Sequence, residues 1–159
     1  MSDVGRHWIA VLALLWTCLA TAAPAGNLVE KFALVIGNQE YASRDGELKN
    51  TLQDAGLMAR SLKTLGFAVT ERSNLTRTQF VTEVEGFAAR LPAGATALVF
   101  YAGHGMQVGG ANYLVPVDME LTSEQSVPVR AYPLQMMLER LATAKSAVNI
   151  VVLDACRNN

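Results

Sequence analysis

Four short apolar runs alternate along this chain with segments whose apolar residues recur at helical spacing. Continuous apolar runs of about four to eight residues are typical of buried strands, whereas a period of about 3.6 residues predicts a helix. Strands that alternate with helices predict a parallel sheet covered by helices on both faces. The predicted strands cover residues 32–36, 67–70, 97–101 and 148–153, and the predicted helices cover residues 48–65, 76–91 and 133–141.

Local signals mark several ends of these elements. Gly66 follows the first predicted helix, where a C-terminal cap is expected. Thr76 and Gln79 have the spacing of a capping box at the start of the second helix. Gly109 and Gly110 separate two short segments, and this pattern predicts a small hairpin.

The first 25 residues have the composition of a leader. Arg6 precedes an apolar run over residues 8–23. Small residues at 20–22, in the last part of the run, and at 23–25 form two candidate cleavage sites. This pattern predicts a signal peptide over residues 1–25, with cleavage near residues 22–25, and an exported, periplasmic or secreted protein. The run is shorter than the roughly 20 residues that span a bilayer, and an uncleaved membrane anchor is the alternative.

The remaining residues, 26–159, have the composition of one packed domain. Hydrophobic residues make up 51% and charged residues 17% of the chain. The net charge of −1, without a block of Lys and Arg, argues against a nucleic-acid surface. One histidine, His104, and one cysteine, Cys156, are too few nitrogen and sulfur ligands for an ordinary zinc site. A zinc site would need carboxylates to supply the remaining ligands. No cofactor is expected.

His104 and Cys156 each follow a predicted strand, the third and the fourth. Sites in parallel sheets lie beyond the carboxyl ends of the strands, so both residues belong to that edge. The sequence leaves open whether these two strands are neighbours. For Cys156 the alternative is a small buried core residue, and for Gly103-His104-Gly105 it is a plain tight turn.

A cysteine and a histidine at one sheet edge can form a nucleophilic pair. Cysteine attacks as the thiolate, which is a minority at neutral pH because the free thiol has a pKa of about 8.5. A neighbouring imidazole can accept the thiol proton and later protonate the leaving amine. The amides of Gly105 and Cys156 are candidate donors to the oxyanion that forms during attack.

The spacing and surroundings of this pair resemble those of a known family. Cys156 follows His104 by 52 positions, and caspases have their histidine about 50 residues before a Gln-Ala-Cys-x-Gly motif. Residues 154–158 read Asp-Ala-Cys-Arg-Asn at the matching place. The chain resembles the caspase-like superfamily, peptidase family C14, and most closely its bacterial metacaspase-like branch. The motifs that carry the resemblance are residues 32–41, 48–55, 101–105, 112–118 and 154–159.

The resemblance implies a fold and an activity. The fold is the large-subunit-like (p20) domain, a three-layer α/β arrangement with a mostly parallel sheet flanked by helices. The activity is that of a Cys/His endopeptidase, with His104 as base and Cys156 as nucleophile. Asp54 and Asp154 match the aspartates that line the metacaspase substrate pocket, and two carboxylates favour Arg or Lys there. The alternative for Asp54 is an ordinary exposed helix residue.

Relatives in this family continue with further strands after the nucleophile. The domain over residues 26–159 is therefore expected to be truncated just after the cysteine, and its fourth strand to be an exposed apolar edge. The expected partner is a polypeptide substrate, together with a completing C-terminal segment or a second chain. A non-catalytic or incomplete caspase-like interaction module that needs such a segment is the alternative function.

The acidic residues after the hairpin and the loop after the first strand bear on two other functions, calcium binding and nucleotide binding. Some metacaspases use calcium, but Asp118, Glu120 and Glu124 are expected to form a solvated acidic loop, since calcium takes about six to eight oxygen ligands. A nucleotide-binding domain needs a glycine-rich loop after the first strand. Residues 37–41 do not supply one.

Overall fold

A computed structural model describes residues 29–42, 48–120, 123–155 and 157–158. The predicted signal peptide lies outside the described residues and stays a prediction. Within the described ranges no helix is both long and apolar enough to cross a bilayer. The elements are β1 Lys31–Gly37, α1 Thr51–Thr64, β2 Ala68–Ser73, α2 Arg77–Arg90, β3 Thr96–Ala102, β4 Gly105–Val108, β5 Ala111–Leu114, α3 Val127–Arg130, β6 Tyr132–Pro133, α4 Leu134–Thr143, β7 Val148–Asp154 and β8 Arg157–Asn158.

The main sheet is parallel, with the strand order β2-β1-β3-β7. These are the four strands that the sequence predicts, and the mixed α/β fold is confirmed. The strands that precede His104 and Cys156 are direct neighbours. Gly37 pairs with Ala102, and Ala102 pairs with Asp154. The carboxyl ends of β1, β3 and β7 therefore meet at one edge of the sheet.

Helices cover both faces of this sheet, as predicted. Successive side chains of a strand point to opposite faces, so the central strands β1 and β3 each contribute to two separate clusters. One cluster packs against α1, and the other packs against α2 and α4. The fully buried aromatic side chains of Phe80, Tyr101 and Tyr132 belong to the second cluster.

Gly37 allows α1 to begin close against the end of β1. A Cβ at this position would lie 2.9 Å from the Cβ of Ala55 and 3.0 Å from the carbonyl oxygen of Thr51. The hydroxyl of Thr51 donates a hydrogen bond of 2.9 Å to the carbonyl of Asn38. This close approach brings the first turn of α1, with Asp54, to the carboxyl edge of the sheet.

The second helix begins where its capping box predicts. The side chain of Thr76 accepts from the amide of Gln79, and the Gln79 side chain accepts from the amide of Thr76. In addition, the carboxylate of Asp118 accepts a hydrogen bond of 3.0 Å from the amide of Arg77. An acidic group at a helix N-terminus accepts a hydrogen bond from an amide that has no partner within the helix, and its negative charge interacts favourably with the helix dipole. One acid of the predicted loop thus caps α2.

A second, smaller sheet has the order β6-β5-β4-β8. Strands β4 and β5 form the predicted hairpin, and its turn residues Gly109 and Gly110 have φ values of 58° and 81°. Glycine adopts such positive φ angles without the strain that a Cβ causes. Elements β6, β8 and α3 are only two to four residues long and were not predicted from the sequence. Strand β8 pairs with the start of β4 in parallel, Arg157 beside Gly105.

Strand β7 is the outer strand of the main sheet, since the described residues pair with it on the β3 side alone. Four of its five apolar side chains are exposed, with relative accessibilities between 37% and 47%. They belong to Val148, Ile150, Val152 and Leu153. The exposed apolar edge expected for the fourth strand is observed.

Candidate active site

Backbone hydrogen bonds hold the three strand ends together. The amide of Asn38 donates to the carbonyl of Ala102 at 2.8 Å, which ties the end of β1 to the end of β3. The amide of Gly103 donates to the carbonyl of Asp154 at 3.2 Å, which ties the end of β3 to the end of β7. The carboxyl ends of β1, β3 and β7 are therefore confined to one small region.

A cavity of about 350 Å³ opens at this edge. It brings together three residues that the sequence analysis singled out: Asp54, His104 and Asp154. They come from three different elements, α1, the β3–β4 connection and β7. The full lining is Leu48, Lys49, Asn50, Thr51, Asp54, Gly103, His104 and Asp154.

The two carboxylates of the cavity have different surroundings. Asp54 lies in the first turn of α1 and is half-buried. A carboxylate in this position interacts favourably with the partial positive charge of the helix N-terminus. Asp154 is the last residue of β7 and is exposed. A cationic group in the cavity would meet one carboxylate on a helix end and another on a strand end.

Lys49 was missed by the sequence analysis. It is exposed and lines the same cavity, two residues before the first residue of α1. Its ammonium offsets one of the two carboxylates, so the lining has a formal charge of −1. The signal was present, because residue 49 lies inside the segment 48–55 that carries the family resemblance. Charge alone did not distinguish it from an ordinary solvated lysine.

Two tyrosines that sequence reasoning also missed contact His104. The hydroxyl of Tyr41 accepts a hydrogen bond of 2.8 Å from the His104 amide. The hydroxyl of Tyr101 lies 2.9 Å from the His104 carbonyl oxygen and donates to it. Burial raises the pKa of Tyr41 above its ordinary value, and it raises the pKa of Tyr101 much further. Both hydroxyls are therefore protonated at neutral pH.

A buried asparagine fixes the loop that carries Tyr41. The side chain of Asn38 is fully buried, and its amide nitrogen donates to the carbonyl of Val115 at 3.1 Å. Its side-chain oxygen accepts a 2.8 Å hydrogen bond from the amide of Leu75. The carboxamide oxygen of Asn74 accepts from the amides of the next two loop residues, Gln39 and Glu40. Buried polar groups that are paired in this way specify one backbone course.

Gly105 lies at the start of β4 and is buried. It pairs with Leu114 on one side and Arg157 on the other. Together with Ala155 it also lines a second cavity, of about 230 Å³. Cys156 lies outside the described residues, so its roles as nucleophile and as oxyanion donor stay predictions.

The acidic side chains of the predicted loop do not converge on one site. Glu120 and Glu124 are exposed, and the carboxylate of Asp118 caps α2. Among the residues that the structure describes, no group of three or more His, Cys, Asp or Glu side chains could hold a metal ion. The expectations about calcium and other cofactors stay predictions.

Comparison with solved structures shows the fold. A crystal structure of a protein from Geobacter sulfurreducens superposes with a TM-score of 0.61 at 23% sequence identity. The superposition covers 80% of this chain and 50% of the Geobacter chain. The arrangement of sheet and helices is therefore one that has been observed by experiment.

Comparison with known sequences shows the family. The chain is 32% identical over 130 residues to the human mucosa-associated lymphoid tissue lymphoma translocation protein 1, and equally to its Mus musculus homolog. The alignments cover 80% of this chain, which spans 15% of the length of these relatives. The model of the caspase domain, Peptidase C14, matches residues 30–159. The chain belongs to the caspase domain family.

Proposed function

We propose that this chain is a cysteine endopeptidase that uses a His104–Cys156 dyad and cleaves after Arg or Lys. The observation that supports this proposal most is the cavity in which His104 lies together with two carboxylates. Membership of the caspase domain family supports the same class of chemistry. The substrate is a polypeptide, and the reaction requires no cofactor.

The proposed reaction begins with transfer of the Cys156 thiol proton to His104. The thiolate sulfur then bonds to the scissile carbonyl carbon, and the electron pair of the carbonyl moves onto its oxygen. The amides of Gly105 and Cys156 donate to this oxyanion. When the carbon–nitrogen bond breaks, His104 returns the proton to the leaving amine. Water then hydrolyses the thioester and frees the thiol.

The preference for a basic residue follows from the charges of the cavity. Asp54 and Asp154 would attract an arginine or lysine side chain and repel an aspartate. Lys49 acts against this preference, because its ammonium lies in the same lining. The discrimination is therefore expected to be smaller than two unopposed carboxylates would give.

The test compares peptides that end in Arg, Lys, Asp or a neutral Gln before a fluorophore, with Cys156→Ala as the inactive control. Asp54→Asn should lower kcat/KM for the Arg peptide by about tenfold, which corresponds to about 1.4 kcal/mol of lost attraction. Asp154→Asn should lower it by a few-fold, because this carboxylate is exposed to solvent. The Gln peptide should change by less than about twofold, because it has no charge to lose. Equal losses on both peptides would mean that the carboxylates have no role in specificity.

Lys49→Met is the opposite test. Removing the ammonium should raise kcat/KM for the Arg peptide by a few-fold, because the repulsion between two partly solvated charges is small. The value for the uncharged Gln peptide should not change. Cleavage after Asp alone by the unmodified chain would overturn the proposed specificity. Activity that is the same in EDTA and in added calcium would agree with a mechanism that uses no metal ion.

A non-catalytic or incomplete interaction module is the second candidate function. The exposed apolar side chains of β7 favour it, because an unpaired strand edge can add a strand from another segment or a second chain. Soluble, folded protein that cleaves none of the peptides would support this function. Cleavage that depends on Cys156 would contradict it.

We further propose that residues 1–25 are a signal peptide and that the protein is exported. The support is the sequence pattern of Arg6, the apolar run 8–23 and the small residues before position 26. N-terminal sequencing of protein recovered from an exporting host should give a start near residues 23–26. A start at Met1 in a membrane fraction would mean an uncleaved anchor.

A further inference from the structure

The backbone of His104 is held at both of its polar groups by tyrosine hydroxyls. The amide of His104 donates to the hydroxyl of Tyr41 at 2.8 Å. The carbonyl of His104 accepts from the hydroxyl of Tyr101 at 2.9 Å and from the amide of Val115 at 3.0 Å. The position of this residue along the edge of the sheet is therefore set from two directions.

The two hydroxyls also contact each other, which closes a ring of hydrogen bonds. The hydroxyl oxygens of Tyr41 and Tyr101 are 3.4 Å apart, and Tyr101 has the carbonyl of Val115 as a further acceptor at 3.1 Å. Since the His104 amide donates to Tyr41, the proton of Tyr41 is left to donate to Tyr101. The proton of Tyr101 is then donated to the His104 carbonyl. Each hydroxyl accepts one hydrogen bond and donates one, so neither is left unsatisfied.

The ring of Tyr41 also contacts the imidazole itself. The two ring centroids are 4.6 Å apart, and the planes are inclined by 55°. Tyr41 is 7% exposed, so its ring is held by the surrounding core. Tyr41 therefore both accepts the hydrogen bond of the His104 amide and places its ring against the imidazole.

Gly103 makes room for this arrangement. A Cβ at position 103 would lie 2.4 Å from the Tyr101 hydroxyl and 2.7 Å from the Tyr41 hydroxyl. Real Cβ atoms do not approach so closely, so only glycine lets both hydroxyls reach the next peptide. The Gly-His pair of the motif is thus explained by the tyrosines that surround it.

We propose that Tyr41 and Tyr101 are positioning residues that fix the orientation of His104, and this inference rests on the proposed role of His104 as the base. Proton transfer requires the imidazole to lie within hydrogen-bond reach of the group that gives up its proton. A displacement of the order of 1 Å can lower a rate by about a hundredfold. Neither tyrosine lines the His104 cavity, so each acts through His104 and not on the substrate.

The first arm of the test measures His104 directly by NMR of the full chain. Variants Tyr41→Phe, Tyr101→Phe and Tyr41→Leu are compared, and His7→Gln assigns the two histidines. Tyr41→Phe should move the His104 amide proton upfield, because its acceptor is lost. It should keep the ring-current shift of the imidazole protons, which Tyr41→Leu should abolish. Unchanged His104 signals in all three variants would overturn the inference.

Tyr132→Phe is the matched control. Tyr132 is buried and stacks on Phe80 with ring centroids 5.3 Å apart, but its hydroxyl has no hydrogen-bond partner among the described residues. Its removal should leave the His104 signals and the activity unchanged. If Tyr132→Phe alters His104 as strongly as Tyr41→Phe does, the effect is general repacking and the inference fails.

The second arm measures kinetics on the Arg peptide. Tyr41→Phe and Tyr101→Phe should each lower kcat by about tenfold with KM within about twofold, because an orientation effect acts on the transition state. Altered His104 signals with an unchanged kcat would overturn the positioning role. An unmodified chain that cleaves no peptide would instead overturn the proposed function, and the NMR arm would still decide whether the tyrosines orient His104.

Discussion

Strands β3 and β7 precede His104 and Cys156 in the sequence. The two strands have similar apolar sequences, but β3 is buried and β7 is largely exposed. Both are seven-residue apolar runs that end beside a proposed functional residue. From Ala97 to Ala102 every residue of β3 is buried, whereas six of the seven residues of β7 are exposed. Apolar composition therefore predicts a strand, whereas the place of the strand in the sheet decides its burial.

The ends of these two strands differ in the same way. The residue after β3, Gly103, is followed by a histidine whose amide and carbonyl are both held by tyrosines. The end of β7, Asp154, is exposed and is tied to the β3 end by one amide–carbonyl bond of 3.2 Å. Hydrogen bonds from described residues thus fix the backbone of His104, whereas Asp154 at the end of β7 is open to solvent.

A pair of leucine truncations provides the largest contrast between the strands. Leu98 of β3 is 8% exposed, and Leu153 of β7 is 41% exposed. Leu98→Ala should lower the free energy of unfolding by about 3 kcal/mol, since a buried leucine leaves a cavity. Leu153→Ala should lower it by less than about 1 kcal/mol, because much of the side chain is already hydrated. Urea unfolding of the two variants measures the difference.

If both variants lose the same free energy of unfolding, the exposed side of β7 is covered in solution and the two strands do not differ in burial. Repeating the measurement at several protein concentrations identifies the cause. A cost for Leu153→Ala that grows with concentration would indicate that a second copy covers the strand.

A glycine substitution gives the next largest effect at the end of β3. Gly103→Ala should lower the free energy of unfolding by about 2 kcal/mol, since overpacking in a filled site forces its neighbours apart. Gly56→Ala, inside α1, is the matched control, because the added methyl group comes no closer than 3.4 Å to an arginine nitrogen. It should be neutral or stabilise the helix by about 0.5–1 kcal/mol. A Gly103→Ala variant as stable as this control would contradict the close packing around His104.

The sequence predicted the parts of the fold that local pattern determines. The four main strands and helices α1, α2 and α4 follow from apolar periodicity, and the Thr76 capping box and the glycine turn at 109–110 follow from local chemistry. The strands of the second sheet beyond the hairpin were not predicted. Their two-residue length leaves no period to detect, and their pairing is set by residues far away in the chain.

The candidate site was predicted only in part for the same reason. Asp54, His104 and Asp154 were identified because they follow strands or match a motif, and the structure brings them to one cavity. Lys49, Tyr41 and Asn38 were missed. The hydrogen bonds that make Tyr41 and Asn38 important join residues 37 to 77 positions apart in the chain, and Lys49 matters only through its place in the cavity. Long-range hydrogen bonds have no local pattern in a sequence.

The smallest expected effect distinguishes the two strand ends by pH. Burial raises the pKa of Tyr101 well above 10, so above pH 10 the unfolded chain loses the proton that the folded chain keeps. The free energy of unfolding therefore falls as pH rises through this window, by up to about 1.4 kcal/mol per pH unit for one tyrosine. Tyr101→Phe should make this slope shallower above pH 10 and leave it unchanged below pH 9. Leu153→Ala, which removes no titrating group from β7, should keep the full slope, and urea unfolding between pH 8 and about 11 measures both. An unchanged slope in Tyr101→Phe would mean that the hydroxyl beside His104 is open to solvent, as Asp154 is.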